Sequence, residues 1–264
     1  MTSIPSQGTA LVTGASSGIG AVYAQRLAAR GFDLLLVARD QGRLDAAASA
    51  LRDAHGVQVE VLKADLTQKD DVLKLEQRLR SDSSISLLLN NAGIAADGLL
   101  ANADLDQLER MIQLNITAVT RLASAAAASF AKAGRGTIIN IASVVALFPE
   151  RFNATYSASK AYVLSLTQSL NAELDGTGVK VQAVLPGVTR TEIWERSGID
   201  ASQIPEDMVM EAGEMVDAAL AGLDQGELVT IPSLPDAGDW DAFVAARLVM
   251  APNLSKSKAA ARYK

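Results

Sequence analysis

The chain has 264 residues, with 24 Lys and Arg against 30 Asp and Glu for a net charge of −6, no cysteine and one histidine, His55. An acidic chain is poorly suited to wrapping a polyanion, which argues against nucleic acid as a partner, and the lack of thiols with a single imidazole excludes a disulfide framework, a thiolate nucleophile and a Cys/His zinc cage. Hydrophobic residues at 49% and charged ones at 20% are enough to bury a large core.

Residues 1–7 lack the basic start and apolar stretch of a secretory signal, so the expected location is the cytoplasm. Short apolar runs at 10–13, 34–37, 57–62, 85–89, 137–141, 179–185 and 228–231 read as seven strands. They are mostly continuous rather than alternating, as strands covered on both faces are. Helical periodicity fills the gaps over 19–30, 43–54, 70–80, 105–132, 156–175 and 208–223, with Gly31, Gly56, Gly134 and Gly176 near the C-terminal ends. The alternation predicts an α/β fold with right-handed crossovers, a single-domain Rossmann-type doubly wound parallel sheet of about seven strands over residues 1–264 with helices on both faces. The stretch 116–131 is broken by Arg121, Ser124 and Ser129, too polar for a membrane span. Two segments depart from the rhythm. One is a substrate loop or lid at 188–225, and the other is the end of the chain, where 250–264 is a basic tail expected to be solvated or docked at an interface.

The first strand runs into Thr13-Gly14-Ala15-Ser16-Ser17-Gly18-Ile19-Gly20 and then a helix. Gly14 allows a tight exit from the strand, Gly18 lets backbone N–H groups approach a diphosphate, and Gly20 permits close packing of a helix whose N-terminus faces the anion. Thr13, Gly14, Ser16, Ser17, Gly18, Ile19 and Gly20 are therefore candidate dinucleotide contacts. Gly14-Ala15-Ser16-Ser17-Gly18 also satisfies the G-x-S-x-G elbow of serine hydrolases, but that chemistry needs a late histidine, and His55 is early and reads as a polar helix end.

The second strand ends Val37-Ala38-Arg39-Asp40, where an acidic side chain would bind the adenosine ribose of NAD. Ala38 and Arg39 occupy that place, and a guanidinium fits a 2′-phosphate, so NADP(H) is preferred. NAD(H) stays possible through Asp40.

Tyr156 and Lys160 lie four apart on a predicted helix and project from one face. The ammonium is expected to favour the phenolate and make Tyr156 an acid/base near neutral pH, while Ser143, at the carboxyl end of the fifth strand, would orient a substrate carbonyl. Val145, Phe148, Phe152, Ile193 and Trp194 form an expected apolar pocket wall for a small-molecule ketone or secondary alcohol.

The glycine turn, Asn90-Asn91-Ala92-Gly93 and Tyr156-Ser157-Ala158-Ser159-Lys160, in this order over roughly residues 9–190, resemble the short-chain dehydrogenase/reductase family. The resemblance implies an NAD(P)-dependent oxidoreductase that interconverts a carbonyl and an alcohol, with Lys160 also holding the nicotinamide ribose. It implies that Asn115 completes a proton relay with Ser143, Tyr156 and Lys160, and that Asp65 and Leu66 contact the adenine. Asn91, Ala92 and Gly93 would pass beside the cofactor, and Pro186, Gly187, Val188, Thr189 and Thr191 would border the nicotinamide. It further implies a homodimer or homotetramer paired through helices 105–132 and 156–175. The competing reading is a non-catalytic dinucleotide-binding scaffold, whose mark would be a broken tetrad; this one is intact.

Overall fold

A computed structural model describes residues 7–95, 98–192 and 204–264. The strands β1 (Thr9–Thr13), β2 (Asp33–Ala38), β3 (Val59–Lys63), β4 (Ile85–Asn90), β5 (Gly136–Ile141), β6 (Val179–Val184) and β9 (Val229–Thr230) form one parallel sheet in the order β3-β2-β1-β4-β5-β6-β9. The remaining two, β7 (Thr189–Arg190) and β8 (Met210–Glu211), pair with each other. The helices are α1 (Gly18–Ala29), α2 (Gln41–His55), α3 (Lys69–Ser81), α4 (Leu105–Ile112), α5 (Val119–Ala133), α6 (Ala154–Glu173), α7 (Ala212–Gln225) and α8 (Ala237–Val249).

Strand side chains alternate between two cores, which is why the runs are continuously apolar. Ala10, Val12, Leu34 and Leu36 join Tyr23, Leu27, Leu44 and Met215 on the face covered by α1, α2 and α7. Leu11, Leu35, Val37 and Leu88 join Leu75, Leu79, Leu122 and Phe130 on the face covered by α3, α5 and α6. Because β1 neighbours both β2 and β4, the connections reverse direction there and leave a crevice above the carboxyl ends.

The expected helix 105–132 is divided by a π-helical turn, Gln113–Ala118, at Asn115. Hydrophobic spacing does not register one inserted residue, so the periodicity ran through it. The expected helix 208–223 starts later, at Ala212, because the Met210 N–H donates to the Val188 carbonyl at 2.9 Å and holds the preceding residues extended in β8. Within the 188–225 segment, α7 buries Met215, Val216, Ala219 and Leu220 in the core.

By its contacts the chain divides into two compact units, Met1–Pro232 and Ser233–Lys264. The second holds α8, capped by Asp236 and carrying a Trp240–Phe243 ring stack at 5.4 Å, followed by short 3-10 turns. Among the described residues no helix is long and apolar enough to cross a membrane.

Candidate active site

A cleft of about 1340 Å³ runs along the carboxyl edge of the sheet. At its start Gly14 and Gly18 take φ of +68° and +54°, the left-handed region that favours glycine. A Cβ on Gly20 would collide with the Gly14 carbonyl, so α1 can approach the turn only as glycine. Ser16, Ser17, Gly18 and Ile19 line the cleft. Ser17, at the N-cap of α1, makes no side-chain cap bond and no acidic residue sits in the first turn, so the helix presents bare N–H groups to an anion.

Thr13 does not line the cleft. Its buried hydroxyl donates to the Leu89 carbonyl at 3.1 Å and accepts from the Asn91 and Ala92 N–H groups, each at 3.0 Å. The Asn91 amide donates back to the Thr13 carbonyl at 2.9 Å, locking β1 to β4, while Asn91, Ala92 and Gly93 border the cleft. Pro186, Gly187, Val188, Thr189 and Thr191 form the opposite border.

At the adenosine end, β2 stops at Ala38 and Arg39 is exposed on the cleft rim. Asp40 is spent on the backbone: as N-cap of α2 its carboxylate accepts from the Arg43 N–H at 3.0 Å. That use weakens the NAD alternative. Arg43, also in the cleft wall and unmarked by the sequence reading, pairs with Glu192 at 2.8 Å. Its place four residues after Arg39 was a readable signal. Asp65 accepts from the N–H and hydroxyl of Thr67 at 3.0 and 2.8 Å, forming a turn that presents Leu66 to the cleft.

The catalytic end is built on a buried polar ladder that the sequence did not suggest. Asn90 donates to Asn140 at 2.9 Å and Asn140 to Thr167 at 3.0 Å, tying β4 and β5 to α6. Asn153 caps α6 by accepting from the Tyr156 N–H at 3.0 Å, and its amide reaches the Gly98 carbonyl at 2.8 Å. With α6 so fixed, Tyr156 and Lys160 face the cleft opposite Ser143. Lys160 Nζ donates to the Ile141 carbonyl at 2.9 Å and lies 5.8 Å from the centre of the Tyr156 ring. Burial lowers the Lys160 ammonium to about 8.

The Tyr156 phenol is pushed up to about 12 by burial, with a hydrogen bond to Ser143 pulling it partly back. The ammonium expected to favour the phenolate lies 5.8 Å from the ring centre, and burial acts on the phenol in the opposite direction.

Asn115 is buried behind Gly93, its Oδ1 3.3 Å from the point where that cleft residue would carry a Cβ. It accepts from the Ile94 N–H at 3.0 Å, and its amide donates to the Ile94 carbonyl at 2.9 Å and the Ser159 hydroxyl at 3.2 Å. Its side chain fixes the loop after Gly93.

Of the expected pocket wall, Val145 and Phe152 line the cleft. Phe148 does not; it follows a turn of 3-10 helix that leaves it 59% exposed. Ile193 and Trp194 lie outside the described residues.

The pattern that defines the short chain dehydrogenase family matches residues 8–201. A short-chain dehydrogenase from Sphingobium yanoikuyae, solved in complex with NADPH, is 54% identical with a TM-score of 0.94, covering 97% of this chain and all of that one. A bulky-bulky ketone specific alcohol dehydrogenase from Comamonas testosteroni is 47% identical with a TM-score of 0.90, covering 99% of both chains. An uncharacterized oxidoreductase from Staphylococcus saprophyticus is 37% identical over 185 residues, 70% of this chain and 79% of that protein.

Proposed function

The chain belongs to the short-chain dehydrogenase/reductase family and is an oxidoreductase of the alcohol/carbonyl type, and on that premise we propose that it is an NADP(H)-dependent carbonyl reductase with Tyr156 as its acid/base. The observation that carries the reading is the convergence of Ser143, Tyr156 and Lys160 in the same cleft as a glycine turn that a Cβ would obstruct.

The residues present fit a nicotinamide dinucleotide. The bare N-terminus of α1 suits a diphosphate, Arg39 a 2′-phosphate, and Asp65 and Leu66 an adenine. Lys160, Pro186, Gly187, Val188, Thr189 and Thr191 would hold the nicotinamide half. Bound there, the cofactor supplies or accepts the hydride.

The chain's own groups handle the proton. Ser143 offers a hydroxyl to the substrate carbonyl, and Tyr156, protonated at neutral pH, donates from Oη to the oxygen as negative charge develops on it. Lys160 places a cation beside the ring, 5.8 Å from its centre. Val145 and Phe152 give the substrate side an apolar wall, which suits a ketone or secondary alcohol with an apolar body. That choice agrees with the ketone specificity stated for the Comamonas protein.

NADPH consumption measured against a panel of aldehydes and ketones tests the proposal. Turnover of apolar ketones is expected, and binding of NADPH without oxidation by any member of a broad panel would overturn it in favour of a scaffold role. We further propose a cytoplasmic homodimer or homotetramer. Ala125, Ala126 and Ala127 are buried in the core, so a shared surface would rest on exposed positions of α6 such as Tyr162 and on the partly exposed Leu166.

A further inference from the structure

Among the described residues most surface ion pairs lie away from the cleft; Arg26–Asp217 and Arg30–Asp224, for example, tie α1 to α7. Arg43 and Glu192 instead join opposite walls of the cleft, across 149 residues of sequence, at 2.8 Å. Arg43 belongs to the first turn of α2, on the adenosine rim beside Arg39. Glu192 follows Thr191, whose side chain stands 3.2 Å from the point where Gly18 would carry a Cβ. The Thr191–Glu192 segment therefore lies against the glycine turn, and the ion pair bridges from it to α2.

The Arg43 guanidinium already serves two carboxylates, since Asp40 lies 3.7 Å from its Nε. Both members of the pair are accessible to water, with side chains 47% and 43% exposed. Such a pair changes an equilibrium by at most about five-fold, so it can be exchanged readily. A phosphate dianion offers a guanidinium the same two-oxygen face as a carboxylate with more charge.

We propose that Arg43 is a shared cation, paired with Glu192 until a 2′-phosphorylated adenosine occupies the rim and then transferred to that phosphate. Glu192 is thereby a specificity-determining residue: it competes with the phosphate for Arg43, handicapping NADPH but not NADH. The exchange also links the adenosine end of the cleft to the Thr189–Glu192 segment that borders its other end. The inference rests on the reading of NADP(H) as cofactor, but not on Arg39 being its main phosphate partner.

Dissociation constants for NADPH and NADH, measured by quenching of protein fluorescence at fixed low salt, test it in a double-mutant cycle of Glu192→Gln and Arg43→Ala. Glu192→Gln is expected to tighten NADPH by about three- to five-fold and NADH by less than about two-fold. In the Arg43→Ala background the same substitution should change NADPH affinity by less than about two-fold. Equal shifts for both dinucleotides, or an undiminished Glu192 effect without Arg43, would show a fixed structural tie and overturn the proposal. Arg39→Ala separates the two readings. If it leaves the NADPH to NADH ratio unchanged while the cycle is coupled for NADPH alone, the role given to Arg39 fails and the exchange stands.

Discussion

Lys160→Met should stabilise the folded chain, although it removes a residue assigned to the active site. The amine is buried and donates to the Ile141 carbonyl at 2.9 Å. Moving it from an ordinary 10.5 to about 8 means that burial disfavours the charged form by roughly 3 kcal/mol. Below pH 8 the lysine is protonated whether the chain is folded or not, and the folded state carries this penalty in full. Between about 8 and 10.5 the unfolded chain binds more protons, so the stability of the parent rises with pH as the penalty is relieved. Methionine is of similar length and carries no charge, but gives up a charge-assisted hydrogen bond of roughly 1.5–3 kcal/mol. The variant should therefore exceed the parent by about 1 kcal/mol at pH 7. The advantage should shrink steadily toward pH 10. The raised Tyr156 phenol keeps its proton in the folded state and erodes stability only above its ordinary value of 10.0, in parent and variant alike, so it largely cancels in the difference. Urea unfolding at several pH values from 7 to 10 measures the effect. A variant no more stable than the parent at pH 7, or a difference independent of pH, would refute the account of Lys160 as a buried, destabilising cation.

Tyr156→Phe should keep the fold and cofactor binding but lower kcat by orders of magnitude, because the proton donor alone is lost; steady-state kinetics beside dinucleotide titration checks both. Arg39→Ala should weaken NADPH relative to NADH by about ten-fold or more, since a charge-assisted hydrogen bond of roughly 1.5–3 kcal/mol is lost only where the 2′-phosphate exists. The ratio of the two dissociation constants is the readout. Sedimentation at micromolar concentration should give a species of at least twice the 27.6 kDa chain mass. Leu166→Glu should dissociate it, because a charge in a two-fold contact acts on both subunits. A parent sedimenting as a monomer would refute the assembly.

Sequence by itself determined the sheet and its sidedness. Strands covered on both faces must be apolar throughout, so the seven runs were visible, and the glycines that no Cβ could replace marked the turn at Gly14, Gly18 and Gly20. Tyr156 and Lys160 were legible because four residues make about one helical turn. Only the tertiary structure decided what depends on neighbours far away in the chain. The Asn90–Asn140–Thr167 ladder and the Arg43–Glu192 pair join residues 27 to 149 positions apart, and no local period records such contacts. The environment of Tyr156 is hidden for the same reason: the sequence displays the lysine beside it but not the depth of burial that raises the phenol. Phe148 fell outside the cleft because a single 3-10 turn redirected the chain, and the π-helical turn that carries Asn115 left no mark in the hydrophobic spacing. Side-chain direction over one residue is set by backbone geometry that composition and spacing do not encode.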